Sequence, residues 1–513
     1  MSDLLIRRVR LVPIDPTWTG PSPDNVCDVR VQAGRVMQVA TTASPTPDEE
    51  VLDADGRWLI PGLWDAHVHA TMWAQTRHRI DVSGATDPTG VVAAVADALP
   101  EAHEPGRIVF GYGYRSAMWP RPGTVSELDA VTGPRPVVLV SGDGHNGWAN
   151  SAALRLIGMD DVVGPLTETE WFAAYQRFEA IATAQQEPDA AVRAMELDAA
   201  ARGVVGIVDV EFAGAWRDWP ARYARGITTL RVRAATYPGE LDEVAALGLR
   251  TGDPLVAGQD LVTMGPLKVI SDGSLNTLTA WCCQPYAGGE QLEFPRGRAN
   301  ADIEVLRSLL ARAEGIGLTA AVHAIGDEAV ATALDAFDVT GMTGSIEHAQ
   351  LFARSDLPRM ARLGITASIQ PAHLLHDRDV ADRWWPERTD RVYPFRSLVR
   401  AGVALALGSD APVAPLDPWL AMAAAVHRSD DHRPPWHPEQ ALTVAESLAA
   451  SVDGAGTVRP GARADLALVD RDPYAAHALV DSGDTAAAAA HLRTLRVEAT
   501  VVGGRRTWDR IRS

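Results

Sequence analysis

The sequence predicts an α/β protein built on a (β/α)8 barrel. Apolar, strand-like runs follow one another along the chain, and several are separated by helical patterns such as "IEVLRSLLARAEGIG" and "DEAVATALDAFDV". Polar residues able to do chemistry stand at the ends of these runs, as they do at the mouth of a barrel. The runs, in order, are "WLIPGLWDAHVH", "VVGIVDVE", "TLRVRAAT", "MGPLKVISDG", "LTAAVHAIGD", "GSIEHAQ", "ITASIQP" and "VALALGSDAP".

The two ends of the chain predict a second, smaller unit. Residues 1–60 contain alternating segments such as "DVRVQAGRVMQVA", and residues 445–513 contain "RADLALVDRDP" and "RVEATVVGGRRTW". Alternation of apolar and polar residues is typical of half-buried strands, and Gly503-Gly504 indicates a hairpin. We expect both ends to form one small β-sandwich domain, and residues 61–444 to form the barrel.

Residues 71–200 are too long for a single connection between a strand and a helix. They contain the strand-like runs "RIVFGYGY" and "RPVVLVSGDG" and a helical stretch over 168–202. We expect an insertion after the first barrel strand, at the mouth, where such segments build substrate pockets.

Composition excludes some classes of partner. The chain has 513 residues, 46% of them hydrophobic, and a net charge of −19, which disfavours nucleic acids and anionic membranes. Its start lacks the apolar core of a signal peptide, and no apolar run is long enough to span a bilayer. Three cysteines cannot form a disulfide framework. These features predict a cytoplasmic protein without nucleic-acid or membrane partners; a homo-oligomer stays open.

Candidate metal ligands begin with His67 and His69 in "DAHVH". Strand geometry puts both imidazoles on one face, where they can share a metal ion. Asp65 falls on the same face, where it can orient the two histidines. This spacing alone is a weak signal. It gains weight because further polar residues follow other predicted strands, where burial without a partner would be costly. They are Lys268, His323, His348 and Asp410.

Lys268 is the only lysine, since every other member of the 47 lysine and arginine residues is an arginine. A salt bridge could be made equally well by arginine. A desolvated lysine can instead lose its proton and form a Schiff base, or take up CO₂ as a carbamate that bridges two metals. Arginine does neither. The sequence therefore predicts a chemically reactive lysine.

Several segments together resemble the amidohydrolase superfamily. They are "PGLWDAHVHA", "LKVISDGSLNTLTAW", "HAIGDEA", "IEHAQ" and "GSDAPV". The similarity is to the amidohydrolase-3 branch, with its YtcJ-like and N-substituted formamide deformylase-like proteins. It covers nearly the whole chain, including the insertion around His145 and the C-terminal "LTVAESLAASV".

The resemblance implies a binuclear centre of two divalent ions, usually zinc. His67 and His69 would hold one ion with Asp410, and His323 and His348 the other. Lys268, carrying CO₂ as N6-carboxylysine, would bridge the two ions. Asp410 is implied as a catalytic general base. His145 is either a catalytic donor to the substrate carbonyl or a loop histidine that fixes the insertion.

We therefore expect a metal-dependent hydrolase that cleaves a carbon–nitrogen bond, other than a peptide bond, in a small organic molecule. Deamination or ester hydrolysis on the same scaffold, a Schiff-base aldolase and a non-catalytic binding protein stay open as alternatives. The tryptophans near the predicted mouth either make an apolar or aromatic pocket or pack in the core or an interface: Trp73, Trp119, Trp148 and Trp281. His373 is a further candidate to face the pocket. Asn276 is expected to shape a loop, and His78 and His103 share no spacing with the candidate ligands.

Overall fold

The structure is a computed structural model that describes residues 3–76, 79–99, 106–183, 188–212 and 214–511. Strands are numbered β1 to β21 and helices α1 to α17 in chain order. None of the helices in these ranges combines the length and apolarity needed to cross a bilayer.

Within the described residues, eight parallel strands form the barrel sheet, and each pairs with the next in chain order. A bridge between Val68 and Ala411 links the last segment back to the first strand. Each strand overlaps one of the predicted apolar runs, and the predicted fold class is confirmed. The strands are β6 (Leu63–Val68), β12 (Val204–Asp209), β13 (Arg231–Thr236), β14 (Val262–Ile270), β15 (Ala320–Ala324), β16 (Gly344–His348), β17 (Thr366–Ile369) and β18 (Leu405–Leu407).

Helices surround this sheet and bury one side against it. In the helix Asp327–Thr340, Val330, Ala333, Leu334 and Phe337 are buried at helical spacing, so one stripe faces the core. The helices are α1 (Ala70–Thr76), α6 (Pro188–Ala201), α7 (Ala215–Ala224), α8 (Leu241–Ala246), α9 (Ile303–Gly315), α10 (Asp327–Thr340), α11 (Asp356–Leu363), α12 (Leu374–Trp384), α13 (Phe395–Ala401), α14 (Pro418–His427) and α15 (Val444–Ala449).

The segment after α1 forms its own five-stranded sheet, in the order β11-β10-β9-β8-β7 among the described residues. Its strands are β7 (Ile80–Asp81), β8 (Val109–Tyr114), β9 (Val137–Ser141), β10 (Asn146–Ala149) and β11 (Leu166–Thr167). Its helices are α2 (Pro88–Ala98), α3 (Val125–Thr132), α4 (Ser151–Leu156) and α5 (Glu168–Thr183). The apolar residues Val192 and Met195 of α6 join the barrel core instead. The domain boundaries stay predictions.

Both ends of the chain meet in one sheet, which branches at its first strand. Its strands are β1 (Leu4–Leu11), β2 (Cys27–Gln32), β3 (Arg35–Ala40), β4 (Glu50–Asp53), β5 (Trp58–Pro61), β19 (Leu466–Val469), β20 (Val497–Val502) and β21 (Arg505–Asp509). Two further helices, α16 (Ala475–Asp481) and α17 (Thr485–Arg493), lie between β19 and β20. The sequence analysis did not predict them; α17 is rich in alanine and capped by the side chain of Asp484, both of which favour a helix.

Candidate active site

The mouth of the barrel brings the predicted ligands together around one carboxylate oxygen. Asp410 Oδ1 lies 3.4 Å from His67 Nε2 and 3.4 Å from His69 Nε2. The Nζ atom of Lys268 lies 3.3 Å from His67 Nε2. His67, Lys268 and Asp410 are buried, so these groups meet where water screens their charges weakly.

His323 and His348 complete the cluster from the fifth and sixth barrel strands. Their ring centroids are 4.5 Å apart, and the His348 ring lies 5.1 Å from that of His67. One ligand atom each from His67, His348 and Asp410 falls within 4.8 Å of the others. The resemblance implies that His67 and Asp410 bind one ion and His348 the other, so this group contains residues of both implied sites. The division into two sites stays a prediction.

These residues fit a divalent metal ion. The Nδ1 atom of His348 is buried and has no hydrogen-bond partner among the described residues. A buried ring nitrogen without a partner is costly, and a metal ion would satisfy it. Imidazole and carboxylate donors together suit zinc and similar ions.

The backbone bends sharply where two of these ligands are attached. His348 has φ 70° and Asp410 has φ 58°, both in the left-handed region that non-glycine residues rarely adopt. Each such residue costs about 1–3 kcal/mol and occurs mainly at functional sites. Because the strand ends this way, Glu347 and His348 both reach His67, although strand alternation would put neighbours on opposite faces.

Glu347 is a functional residue that the sequence analysis missed. Its Oε2 atom accepts a hydrogen bond of 2.5 Å from His67 Nδ1, which leaves His67 Nε2 turned toward Asp410 and Lys268. Asp65, which was expected to orient the histidines, has another position: its Oδ1 accepts from the backbone N–H groups of His67 (3.1 Å) and Ser409 (2.9 Å). It thereby ties the first barrel strand to the loop that carries Asp410.

Lys268 is buried, and no carboxylate of the described ranges lies within ion-pair distance of it. Burial lowers the pKa of the Lys268 amine, although the negative charges of Glu347 and Asp410 act to raise it. A lowered pKa leaves a larger fraction of the amine neutral, and the neutral amine is the form that reacts.

His145 lies in the connection between β9 and β10, and its ring is 5.3 Å from that of His323. Its Nδ1 atom lies 3.2 Å from Glu168 Oε2. Burial alone would lower the pKa of His145, but the charges of Glu168 and Asp143 outweigh it and raise the pKa to about 9. The imidazolium form can then donate hydrogen bonds from both nitrogens.

Two small cavities flank this cluster, with volumes of about 40 Å³ and 30 Å³. Both are lined by Asp143, His145, His348, Asp410 and Val413. The first, the aromatic cavity, is lined further by Met72, Phe172, Phe212 and Ile270, together with candidate ligands. The second, the polar cavity, is lined further by Arg115, Asn276, Gln350, His373 and Asp377.

The lining bears on three expectations from the sequence. None of the four tryptophans singled out lines either cavity; Trp148, for example, is fully buried in the insertion, because its ring fills the space beside Gly123. Asn276 does more than shape a loop, since it lines the polar cavity. His373 does face the site, with Nε2 3.8 Å from Asp410 Oδ2. His78 and His103 lie outside the described residues.

Comparisons with known proteins find relatives along most of the chain. The family model described as "Amidohydrolase family", of the amidohydrolase-3 type, matches residues 50–508. The chain is 28% identical to an N-substituted formamide deformylase of Arthrobacter pascens over 94% of this chain and 95% of that protein. It is 25% identical to the putative amidohydrolase YtcJ of Bacillus subtilis over 91% of this chain and 92% of that protein.

Among solved structures, an uncharacterized metal-dependent hydrolase from Pyrococcus horikoshii has the same fold. The TM-score is 0.73 at 24% identity, covering 92% of this chain and 98% of that one. The family match over most of the chain, together with this architecture, fixes the class of the protein. The chain belongs to the amidohydrolase family.

Proposed function

We propose that the protein hydrolyses a carbon–nitrogen bond, other than a peptide bond, in a small organic amide in the cytoplasm. One observation carries the proposal: His67, His69 and Lys268 converge with Asp410 on a single point between two cavities. The name of the formamide deformylase relative supports the choice of an amide, because that protein matches along nearly its whole length.

Two divalent ions, which we expect to be zinc, would be held by six side chains. Bound there, they would supply Lewis acidity that acidifies water and polarises a carbonyl group. The side chains are His67, His69, Lys268, His323, His348 and Asp410.

Lys268 contributes as a carbamate. Its neutral amine adds to the carbon of CO₂, one C=O π bond opens onto oxygen, and a proton leaves the nitrogen for solvent. The product is an anion with two oxygens in place of a cation, so a repulsive group becomes a ligand. Burial favours the neutral amine that this addition needs.

Asp410 and His145 handle protons and the carbonyl. The Oδ1 atom of Asp410 is central in the cluster, where it can take a proton from water and return it to the leaving nitrogen. His145 lines both cavities and is held through Nδ1 by Glu168, which leaves Nε2 to donate to the carbonyl oxygen of the substrate.

The proposal is tested with purified full-length chain loaded with zinc. Formamides, acetamides and cyclic amides are assayed beside matched esters and aminopurines, before and after chelation and zinc restoration. We expect amide hydrolysis that chelation removes and zinc restores. Hydrolysis of esters or aminopurines alone would overturn the amide assignment, and activity unaffected by chelation with trapping of a carbonyl substrate by borohydride would favour the Schiff-base alternative.

A further inference from the structure

Arg115 stands at the end of β8 and lines the polar cavity. It is partly buried, yet its guanidinium has no hydrogen bond or ion pair with any residue that the structure describes. Its side chain passes over Gly142, where a Cβ atom would come within 3.2 Å of it. A cation that points into a cavity without a partner is the kind of group that binds an anionic ligand.

Two of the three carboxylates that line the cavity, Asp143 and Asp377, do not pair with Arg115 and accept hydrogen bonds from other donors instead. Asp143 accepts hydrogen bonds from Ser141 at 2.5 Å and from Ser274 at 2.6 Å. Asp377 accepts from Gln350 at 3.0 Å and from Tyr393 at 2.6 Å. Asp143 and Asp377 thus each accept from two other donors, whereas the guanidinium of Arg115 has no partner among the described residues, which favours an anionic group beside it.

Asn276 adds a second donor to the same cavity. It is 4% exposed, and its Oδ1 atom accepts a hydrogen bond of 3.3 Å from the backbone N–H of Ala117. That contact assigns the other terminal atom as the amide nitrogen, because an N–H group needs an acceptor. This nitrogen, Nδ2, is buried and without a partner within the described ranges. Leaving it unpaired is costly, and a ligand oxygen would remove the cost.

The size of the polar cavity fits a small charged group. Its volume of about 30 Å³ leaves room for about two or three water-sized groups, which suits a carboxylate better than a ring. A carboxylate is planar and offers two oxygens, which matches the two-pronged donor geometry of a guanidinium. Asp410 and His145 also line this cavity, so a ligand there would adjoin the reacting bond.

We infer that Arg115 and Asn276 form a carboxylate subsite, and that the substrate is an amide of an amino acid, an N-acyl amino acid, with its carboxylate in the polar cavity. The acyl group then lies in the aromatic cavity, and the scissile bond lies between them beside Asp410. This inference deepens the proposed function and rests on it for the reacting bond.

The test uses the zinc-loaded full-length chain and N-acetyl amino acids of both enantiomers, each compared with its carboxamide. Arg115→Gln and Asn276→Asp are compared with wild type. Arg383→Gln serves as the control, because Arg383 is exposed and lines neither cavity. Initial rates give kcat and KM, and calorimetric titration gives binding without relying on turnover.

We expect wild type to prefer the carboxylates, and Arg115→Gln to lower kcat/KM and affinity for them by about 10- to 100-fold. Affinity for the carboxamides stays unchanged. Asn276→Asp keeps the acceptor for Ala117 but adds a negative charge. We therefore expect it to lower the affinity for carboxylates at least as much as Arg115→Gln does. Arg383→Gln matches wild type. An N-acetyl aminophosphonate is the second arm, and tighter binding of it would assign the subsite to phosphonates.

Amide hydrolysis and the carboxylate subsite can be refuted independently of each other. If carboxylates bind more tightly than carboxamides through Arg115 but no amide is cleaved, the hydrolysis is wrong and the subsite stands. If amides of both kinds are cleaved and Arg115→Gln affects them equally, the subsite is wrong and the hydrolysis stands. The absence of any preference for carboxylates in binding also overturns the subsite.

Discussion

The polar cavity and the aromatic cavity meet at the same five residues but offer opposite chemistry. On one side Phe172 and Phe212 lie with ring centroids 5.6 Å apart, and Phe212 stacks on His69 at 4.9 Å. On the other side the unpaired groups of Arg115 and Asn276 face a cavity lined by carboxylates and amides.

The difference shows how one metal centre can select a substrate by its two ends. Apolar walls favour binding of an uncharged group, and unpaired buried donors disfavour binding of a ligand that lacks an acceptor. Under the proposed function, the bond to be cleaved would lie where the two cavities join.

The largest effect is expected from Lys268, which lines the aromatic cavity and lies beside His67. Lys268→Arg keeps a cation but cannot form a carbamate, so we expect loss of at least one metal ion per chain and a fall in kcat/KM of about 1000-fold or more. Metal content by mass spectrometry and initial rates measure this. Lys268→Ala with added formate is the companion variant, because a small carboxylate can occupy the space. Full metal content and activity in Lys268→Arg would refute the carbamate.

A smaller effect is expected from Glu347, which supports His67 and lines neither cavity. Glu347→Gln keeps an acceptor but loses the charge, and metal affinity should fall about 10- to 100-fold. Competition with a chromogenic chelator measures the affinity. Ser345→Ala, which removes a donor to the other oxygen of Glu347, is the milder control. Unchanged affinity in Glu347→Gln would mean that His67 is held by other contacts.

The division between the cavities is tested by combining variants. Phe212→Ala enlarges the aromatic cavity, so we expect the kcat/KM ratio of butanoyl to acetyl substrates to rise by about 10-fold, with the preference for carboxylates unchanged. Arg115→Gln should lower the preference for carboxylates and leave the ratio of butanoyl to acetyl substrates unchanged. In the double variant the two effects on kcat/KM should multiply, as for independent sites. Strong non-additivity would show that one ligand group spans both cavities.

The smallest effect on specificity is expected from Trp148, which is fully buried and donates from Nε1 to the carbonyl of Thr124 at 2.9 Å. Trp148→Phe loses this bond and should lower the free energy of unfolding by about 1–2 kcal/mol. The preference between substrates should stay within about twofold, as is usual for changes away from a site. Thermal unfolding and the substrate panel measure both. A changed preference would place this tryptophan in the substrate path.

The barrel could be predicted because its strands are buried on both sides and therefore stand out as apolar runs. The ligands could be predicted because they follow those runs directly. His348 and Asp410 are examples, since a polar residue that directly follows an apolar strand lies at the barrel mouth and is costly to bury unless it binds a partner.

Other parts of the site depend on contacts that no local pattern reveals. Glu347 was missed because strand alternation would turn it away from His348, and the positive φ that brings both to His67 has no sequence signal here. Arg115 is one of many arginines, and only the folded chain distinguishes a cation without a partner from the paired ones. Asn276 looked like a turn residue because asparagine is common in turns.

The sheet built from both ends of the chain has a consequence for biosynthesis. Strand β5 pairs with β19, and the backbone N–H of Ile14 donates to Thr457, 443 positions later. During translation the N-terminal strands emerge long before their C-terminal partners. The edge of β5, which carries apolar residues such as Leu59, therefore lacks its partner strand until the barrel has been synthesised. Closure of this sheet is therefore a late, long-range folding step, and we expect chains that stop before β19 to be retained by chaperones.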